Sequence, residues 1–203
     1  MSILFCLAAY LYGALPFGYL LVRFKKKQDI RGMGSRSTGA TNVLRTAGWA
    51  AALPVVFADL SKGFLPLILG RHWFPEQPLI PMTASLAAVL GHCYPVTLRF
   101  RGGKGVAASL GAFLALGLIP FLLSLAVFVA AIALTRFVSL GSLLAVALFP
   151  FLRLALSASD GILTWAWWGA ILIIVVIRHK ENIRGLSLGQ ERRLGRRTVE
   201  AED

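Results

Sequence analysis

The sequence predicts an all-α integral membrane protein of about seven transmembrane helices, with short or broken helices gathered around a cytoplasm-facing site. Three observations carry this. The 203-residue chain is 57% apolar and 15% charged, with a mean hydropathy of +0.73, which leaves too little polar surface to coat a soluble globule. Apolar stretches able to cross ~30 Å of hydrocarbon recur along it, separated by short polar loops. The cations behind its net charge of +12 collect in alternate loops and not over one amphipathic surface.

The first span is placed at 2–23. No basic residue precedes it, whereas Arg23, Lys25, Lys26 and Lys27 follow. That is the reverse of signal-peptide polarity, so it reads as an uncleaved helix with its N-terminus outside. The second, 49–70, carries Asp59 and Lys62 at i, i+3, ionisable groups that are costly at this depth unless paired or lining a polar cavity. A structural ion pair and a ligand role both stay open. The third span covers 79–98. Residues 106–135 are one apolar stretch divided at Gly117 and Pro120 into spans at 106–118 and 120–135; the alternative is a five-span chain whose short segments are re-entrant. Spans at 139–156 and 161–177 complete the set. With the N-terminus outside, the cations of 23–45, of 99–104, Arg136 and the run from Arg178 to Arg197 fall on the inner side. Arg71 alone lies in an outer loop, and Lys62 and Arg153 fall within spans. Positive loops stay cytoplasmic, which gives N-out and C-in.

This clustering speaks against a nucleic-acid partner. Cys6 and Cys93 lie in apolar segments without metal-ligand spacing, so neither a disulfide framework nor a zinc site is implied, and the acidic residues form no metal-binding cluster. Lys104 is followed by Gly105 and not by Ser or Thr, so the glycine-rich loop is not a nucleotide P-loop.

Three polar clusters share the inner side. Residues 34–45 combine hydroxyls, glycines and arginines, with Thr41, Asn42 and Arg45 at i, i+1 and i+4 on one helical face; a phosphate or polyol site and a solvated, capped loop are both consistent with that. Residues 91–106 place Arg99, Arg101 and Lys104 beside Gly102, Gly103 and Gly105. Glycines allow backbone N–H groups to converge on an anion, so this stretch reads as a phosphate or carboxylate cradle. Residues 178–184 set His179 and Asn182 at i, i+3, while Ser139 and Ser142 open the sixth span, able to cap it or to touch a ligand.

The motifs GSRSTGATNVLR at 34–45, DLSKGFLP at 59–66, GHCYPVTLRFRGGKGVA at 91–107, SLGS at 139–142 and RHKENI at 178–183 resemble those of the bacterial acyl-phosphate-dependent glycerol-3-phosphate acyltransferases, the PlsY family. The resemblance implies a seven-span enzyme of the bacterial cytoplasmic (inner) membrane. It would move a fatty acyl group from acyl phosphate to the sn-1 hydroxyl of glycerol 3-phosphate, releasing lysophosphatidic acid and inorganic phosphate without cofactor or metal. It further implies a partner enzyme that supplies acyl phosphate. Carried over by position, Ser35, Thr41, Asn42, Arg45, Lys104, Ser142, His179 and Asn182 would line the substrate site; the cradle reading adds Gly102 and Gly103 as substrate-binding, and Lys104, Arg45 and His179 are the expected catalytic residues. Arg36 and Ser37 depart from the family's usual glycine and asparagine. Residues 1–186 would then form one transmembrane catalytic domain and 187–203 a polar cytoplasmic tail.

The inventory agrees with that chemistry. An acyl phosphate is a mixed anhydride, already activated, so the main tasks are to hold two anions together and to stabilise the departing phosphate. No His-x-x-x-x-Asp pair is present: five positions past His72, His92 and His179 stand Gln77, Thr97 and Arg184. The competing class is a small phosphate or organic-anion transporter, which predicts inverted halves with matching motifs. The glycine–lysine cluster has no counterpart elsewhere in the chain.

Overall fold

The computed structural model describes residues 1–156 and 160–195, and all regular structure among them is helical. The positions of the expected tail beyond 195, Arg196 and Arg197 included, lie outside the described residues. Helix α1 (Ser2–Gly13) and α2 (Phe17–Lys26) replace the single expected first span; Pro16 lacks the N–H that would continue the ladder, and α2 ends at Lys27 in the left-handed region. Helix α3 (Ala40–Ala47) precedes the long α4 (Trp49–Trp73), and α5 (Leu79–Cys93) stops two residues before Pro95. Helices α6 (Val106–Leu116) and α7 (Leu118–Thr135) divide at Gly117, as the sequence predicts. Helix α8 (Val138–Ala155) is followed by α9 (Ile162–Arg178), which bends by 64° at His179 into α10 (Lys180–Ser187).

All seven expected apolar segments are helical, but they are not equal. Among the described residues, five spans are long and apolar enough to cross a membrane alone, counting α1 with α2 as one, and six if α9 and α10 are joined. The exception that matters is α6. Eleven residues rise only about 16 Å, roughly half the hydrocarbon thickness. It survives because it is wrapped in protein: Ala108, Ser109, Ala112 and Phe113 are fully buried.

Small residues set the close crossings. A Cβ on Gly63 would lie 1.9 Å from the Ala108 carbonyl oxygen, and one on Gly111 would lie 1.8 Å from that of Leu60, so α4 and α6 touch backbone to backbone. Helices α1 and α5 meet likewise at Gly13 and Gly91. Deeper in the bundle, Phe113 stacks on Phe149 at 4.0 Å and meets Trp167 edge-on. Asp59 and Lys62 do pair: Lys62 Nζ donates to Asp59 Oδ1 at 2.7 Å, both are buried, His92 Nδ1 lies 3.4 Å from each partner atom, and Asp59 and His92 also line the cavity described below.

Candidate active site

The loop of residues 99–105 is built on the C-terminal end of α5. Gly102 N–H donates to Cys93 O at 3.2 Å and Gly103 N–H to His92 O at 2.9 Å. A Cβ on Gly103 would sit 1.9 Å from His92 Nε2, so only glycine allows the loop to lie on that imidazole. These two amides are therefore already bonded within the protein, while Gly102 also lines the polar basin described below. What the close approach achieves is placement: Gly105, at φ 85°, caps α6, and Lys104, Gly105, Val106 and Ala107 all line one cavity. Arg178, one of the inner-side cations, clasps the loop from α9. Its Nε and Nη2 donate to Gly103 O and Gly102 O at 3.0 and 3.1 Å, and its guanidinium lies 5.0 Å over the Tyr94 ring.

That cavity, of about 290 Å³, has two characters. One part of its lining is apolar, from Val56 and Leu60 on α4, Leu110 on α6, and Phe121, Leu125 and Phe128 on α7. The other part is polar, with Ser35, Ser37, Thr41, Arg45, Lys104, Ser142, His179 and Asn182, and with the buried Asp59 and His92. A second, polar basin of about 580 Å³ opens beside it and shares Ser35, Ser37, Arg45, Lys104, Asn182 and Glu191. The three clusters separated by up to ~140 positions in the sequence thus meet at one junction.

Individual side chains differ in how free they are. Asn42 is buried and fully used: its Nδ2 donates to Ile30 O, Met33 O and Ser37 O, and its Oδ1 accepts from Ser35 N–H at 2.8 Å. It shapes the 30–37 loop and presents Ser35, so its geometry is that of a loop holder despite its place in the cavity wall. Ser142 Oγ donates back to Val138 O at 2.8 Å while facing the cavity. Arg45 makes no hydrogen bond or ion pair among the described residues, and burial, helped by nearby Arg192, lowers its pKa.

Lys104 Nζ donates to Asn182 Oδ1 at 2.6 Å. Burial first, then the charges of Arg45, Arg178 and Arg192, bring its pKa from 10.5 to about 8, against the opposing pull of Glu191. His179, 2% exposed, is shifted to about 4, chiefly by burial, with Lys104 and Arg178 pushing the same way. It is therefore neutral at pH 7. Its Nδ1 lies 2.8 Å from Val175 O, a carbonyl that can only accept; Nδ1 carries the proton and Nε2 keeps the lone pair.

Glu191 is the site residue that sequence reasoning missed. It falls in the segment assigned to a polar tail, yet its Oε1 accepts from Ser139 Oγ and from Asn182 Nδ2, each at 2.7 Å, and it lines both cavities. The only available signal was one acid in the otherwise cationic run Arg184–Arg193.

The family model for glycerol-3-phosphate acyltransferase matches residues 3–189. A glycerol-3-phosphate acyltransferase of Thermoanaerobacter pseudethanolicus is 36% identical over 197 residues, covering 97% of this chain and 98% of the relative. Among solved structures, PlsY (YgiH), an integral membrane glycerol 3-phosphate acyltransferase, is similar in its glycerol 3-phosphate form, with a TM-score of 0.88, 35% identity and 96% of both chains covered. The lysophosphatidic acid form of PlsY gives a TM-score of 0.86 at 34% identity, over 96% of this chain and 95% of the other.

Proposed function

Because the chain belongs to the glycerol-3-phosphate acyltransferases of the PlsY family, we propose that it acylates the sn-1 hydroxyl of glycerol 3-phosphate with acyl phosphate as donor. The products are lysophosphatidic acid and inorganic phosphate. One observation carries this reading: an apolar slot and a polar basin share a rim made of Lys104, Arg45, Ser35 and Asn182. A lipid-tailed anhydride suits the slot, and a small, water-soluble phosphate ester suits the basin. Their anionic groups meet at the cations.

The reaction forms a bond from the hydroxyl oxygen to the acyl carbon and breaks the bond from that carbon to the phosphate oxygen. Lys104, protonated at pH 7, stabilises charge on the departing phosphate; Arg45, which has no partner of its own among the described residues, holds the glycerol 3-phosphate. Thr41, on the same face of α3 as Arg45, and Ser35 and Ser142 supply hydroxyls to the acceptor. His179 Nε2 orients the attacking hydroxyl by accepting its hydrogen bond. With a pKa of about 4, this imidazole stores a proton poorly. The departing phosphate, whose second pKa is about 6 by analogy with phosphorylated side chains, takes the proton instead.

The unit that does this extends past residue 186, through at least Glu191, so the expected boundary between catalytic domain and tail moves toward the C-terminus. Its membrane is the bacterial cytoplasmic membrane, and the cation distribution puts the basin on the cytoplasmic side, where an acyl-phosphate-producing enzyme delivers the donor. The test is purified protein given glycerol 3-phosphate with palmitoyl phosphate or palmitoyl-CoA, each with and without EDTA. Lysophosphatidic acid and phosphate are expected from the first donor alone, in both conditions. Equal rates from the thioester would refute the donor, and loss in EDTA restored by magnesium would refute metal-free transfer.

A further inference from the structure

We propose that Glu191 is a positioning residue for acyl transfer: its carboxylate fixes the Asn182 amide and, through it, the Lys104 ammonium at the junction of the two cavities. The inference rests on the function proposed above, and its argument is one of hydrogen-bond polarity. An ammonium only donates, so it needs the oxygen end of Asn182; a carboxylate only accepts, so it needs the nitrogen end. Lys104 Nζ to Asn182 Oδ1 at 2.6 Å and Asn182 Nδ2 to Glu191 Oε1 at 2.7 Å satisfy both demands, and they select one of the two amide orientations. Among the described residues, Glu191 is the acceptor that holds the nitrogen end of Asn182 and so opposes a flip that would turn an N–H₂ toward the ammonium.

The carboxylate is itself held from several directions. Ser139 Oγ donates to the same Oε1 at 2.7 Å, from the first turn of α8. A Cβ on Gly185 would lie 2.9 Å from Glu191 Oε2, so α10 leaves room for this side chain, and Gln190 N–H donates to Gly185 O at 2.7 Å. Just beyond, Arg192 donates to Gly34 O, the Arg193 guanidinium lies 5.5 Å over the Phe137 ring, and Leu194 N–H donates to Arg136 O at 2.8 Å. A freely solvated tail would make none of these contacts.

Charge gives the second role. Lys104 faces Arg45 from α3, Arg178 from α9 and Arg192 from the same segment as Glu191, while His179 beside it is neutral. Asp59 is engaged by Lys62, and Glu181 lies exposed at the basin edge. Among the described residues, Glu191 is thus the acid that favours the charged form of Lys104 against three cations and burial.

The experiment follows both roles without relying on activity alone. Lys104 acylation by acetic anhydride is measured against pH by mass spectrometry in the full-length protein, beside the pH profile of kcat/KM for acyl transfer. In Glu191→Gln, which keeps the shape and an accepting oxygen, half-maximal labelling of Lys104 is expected at lower pH than in wild type, and the basic limb of kcat/KM should move the same way. Glu191→Ala should lose about 10-fold or more in kcat/KM, the scale of a hydrogen bond to a charged group. Gly185→Ala, which crowds the carboxylate from the other side, should shift the labelling in the same direction and serves if the first variant folds poorly. Labelling profiles that superimpose on wild type would overturn the role of Glu191 even if the protein transfers acyl groups. A shifted profile in a protein that transfers none would leave Glu191's hold on Lys104 standing and sink the function instead.

Discussion

Replacing Lys104 by Met removes one charge, keeps most of the apolar stem and leaves Asn182 Oδ1 without its 2.6 Å donor. The size of the effect follows from where the ammonium sits. A pKa of about 8 against an ordinary 10.5 means that the site holds the charged form at a disadvantage of about 3 kcal/mol before substrate arrives. A phosphate beside it reverses the balance, so the interaction is strongest where negative charge develops, and losing one such preorganised donor costs turnover roughly 10²–10³-fold. Because the folded pKa is depressed, the unfolded chain binds the extra proton between about pH 8 and 10.5. Folding stability from this group therefore rises across that window. Catalysis runs the other way: wild-type kcat/KM should fall as pH rises through about 8, when the free enzyme loses the ammonium. The assay is phosphate release with both palmitoyl phosphate and glycerol 3-phosphate well below their KM values, from pH 6 to 9.5, on protein shown by size exclusion to be folded. Near-normal turnover in Lys104→Met, or a variant that retains the wild-type basic limb, would refute this assignment.

Arg45→Ala should chiefly raise KM for glycerol 3-phosphate, because a phosphate that changes little during reaction is bound equally in ground and transition states; an unaltered KM removes Arg45 from the acceptor site. Gly103→Ala should cost about 1–3 kcal/mol of stability and displace Lys104, since the new Cβ meets a His92 ring fixed by Asp59 and Lys62. Thermal unfolding and turnover measured together check this, and wild-type values for both would contradict the packing described. In a background lacking Cys6 and Cys93, a cysteine at Gln190 should resist a membrane-impermeant thiol reagent added to intact cells, and labelling there would invert the orientation.

Much of this architecture was legible because hydropathy and charge act locally. The runs that became α4, α7 and α8 needed no tertiary knowledge, and Gly117 marked the division of α6 from α7. The break after α1 was harder to see: Pro16 stands in an apolar run that continues through Leu20 and Val22, so composition alone argues for continuity. At the site, cations and hydroxyls identified themselves by type, but the use of each hydrogen-bonding group depends on partners far away in sequence. Asn42 lines the cavity but also holds a loop, and Gly102 and Gly103 give the close packing of their loop on α5, neither of which residue type alone discloses. Glu191 could not be found because the 64° bend at His179 and the return of the chain from α10 toward Ser139 are tertiary events with no local signature.

The Asp59–Lys62 pair has a meaning for biogenesis as well as for packing. Each ionised residue at the middle of an inserting helix is penalised by about 2.5–3.5 kcal/mol. Here both belong to α4 and stand one turn apart, joined at 2.7 Å. Opposite charges three residues apart neutralise each other as soon as that turn winds, before α5 brings His92 or α6 seals the crossing at Gly63. Helix α4 can thus leave the insertion machinery as an electrically closed unit and wait in lipid for its neighbours. A pair divided between two helices would instead oblige both to enter together.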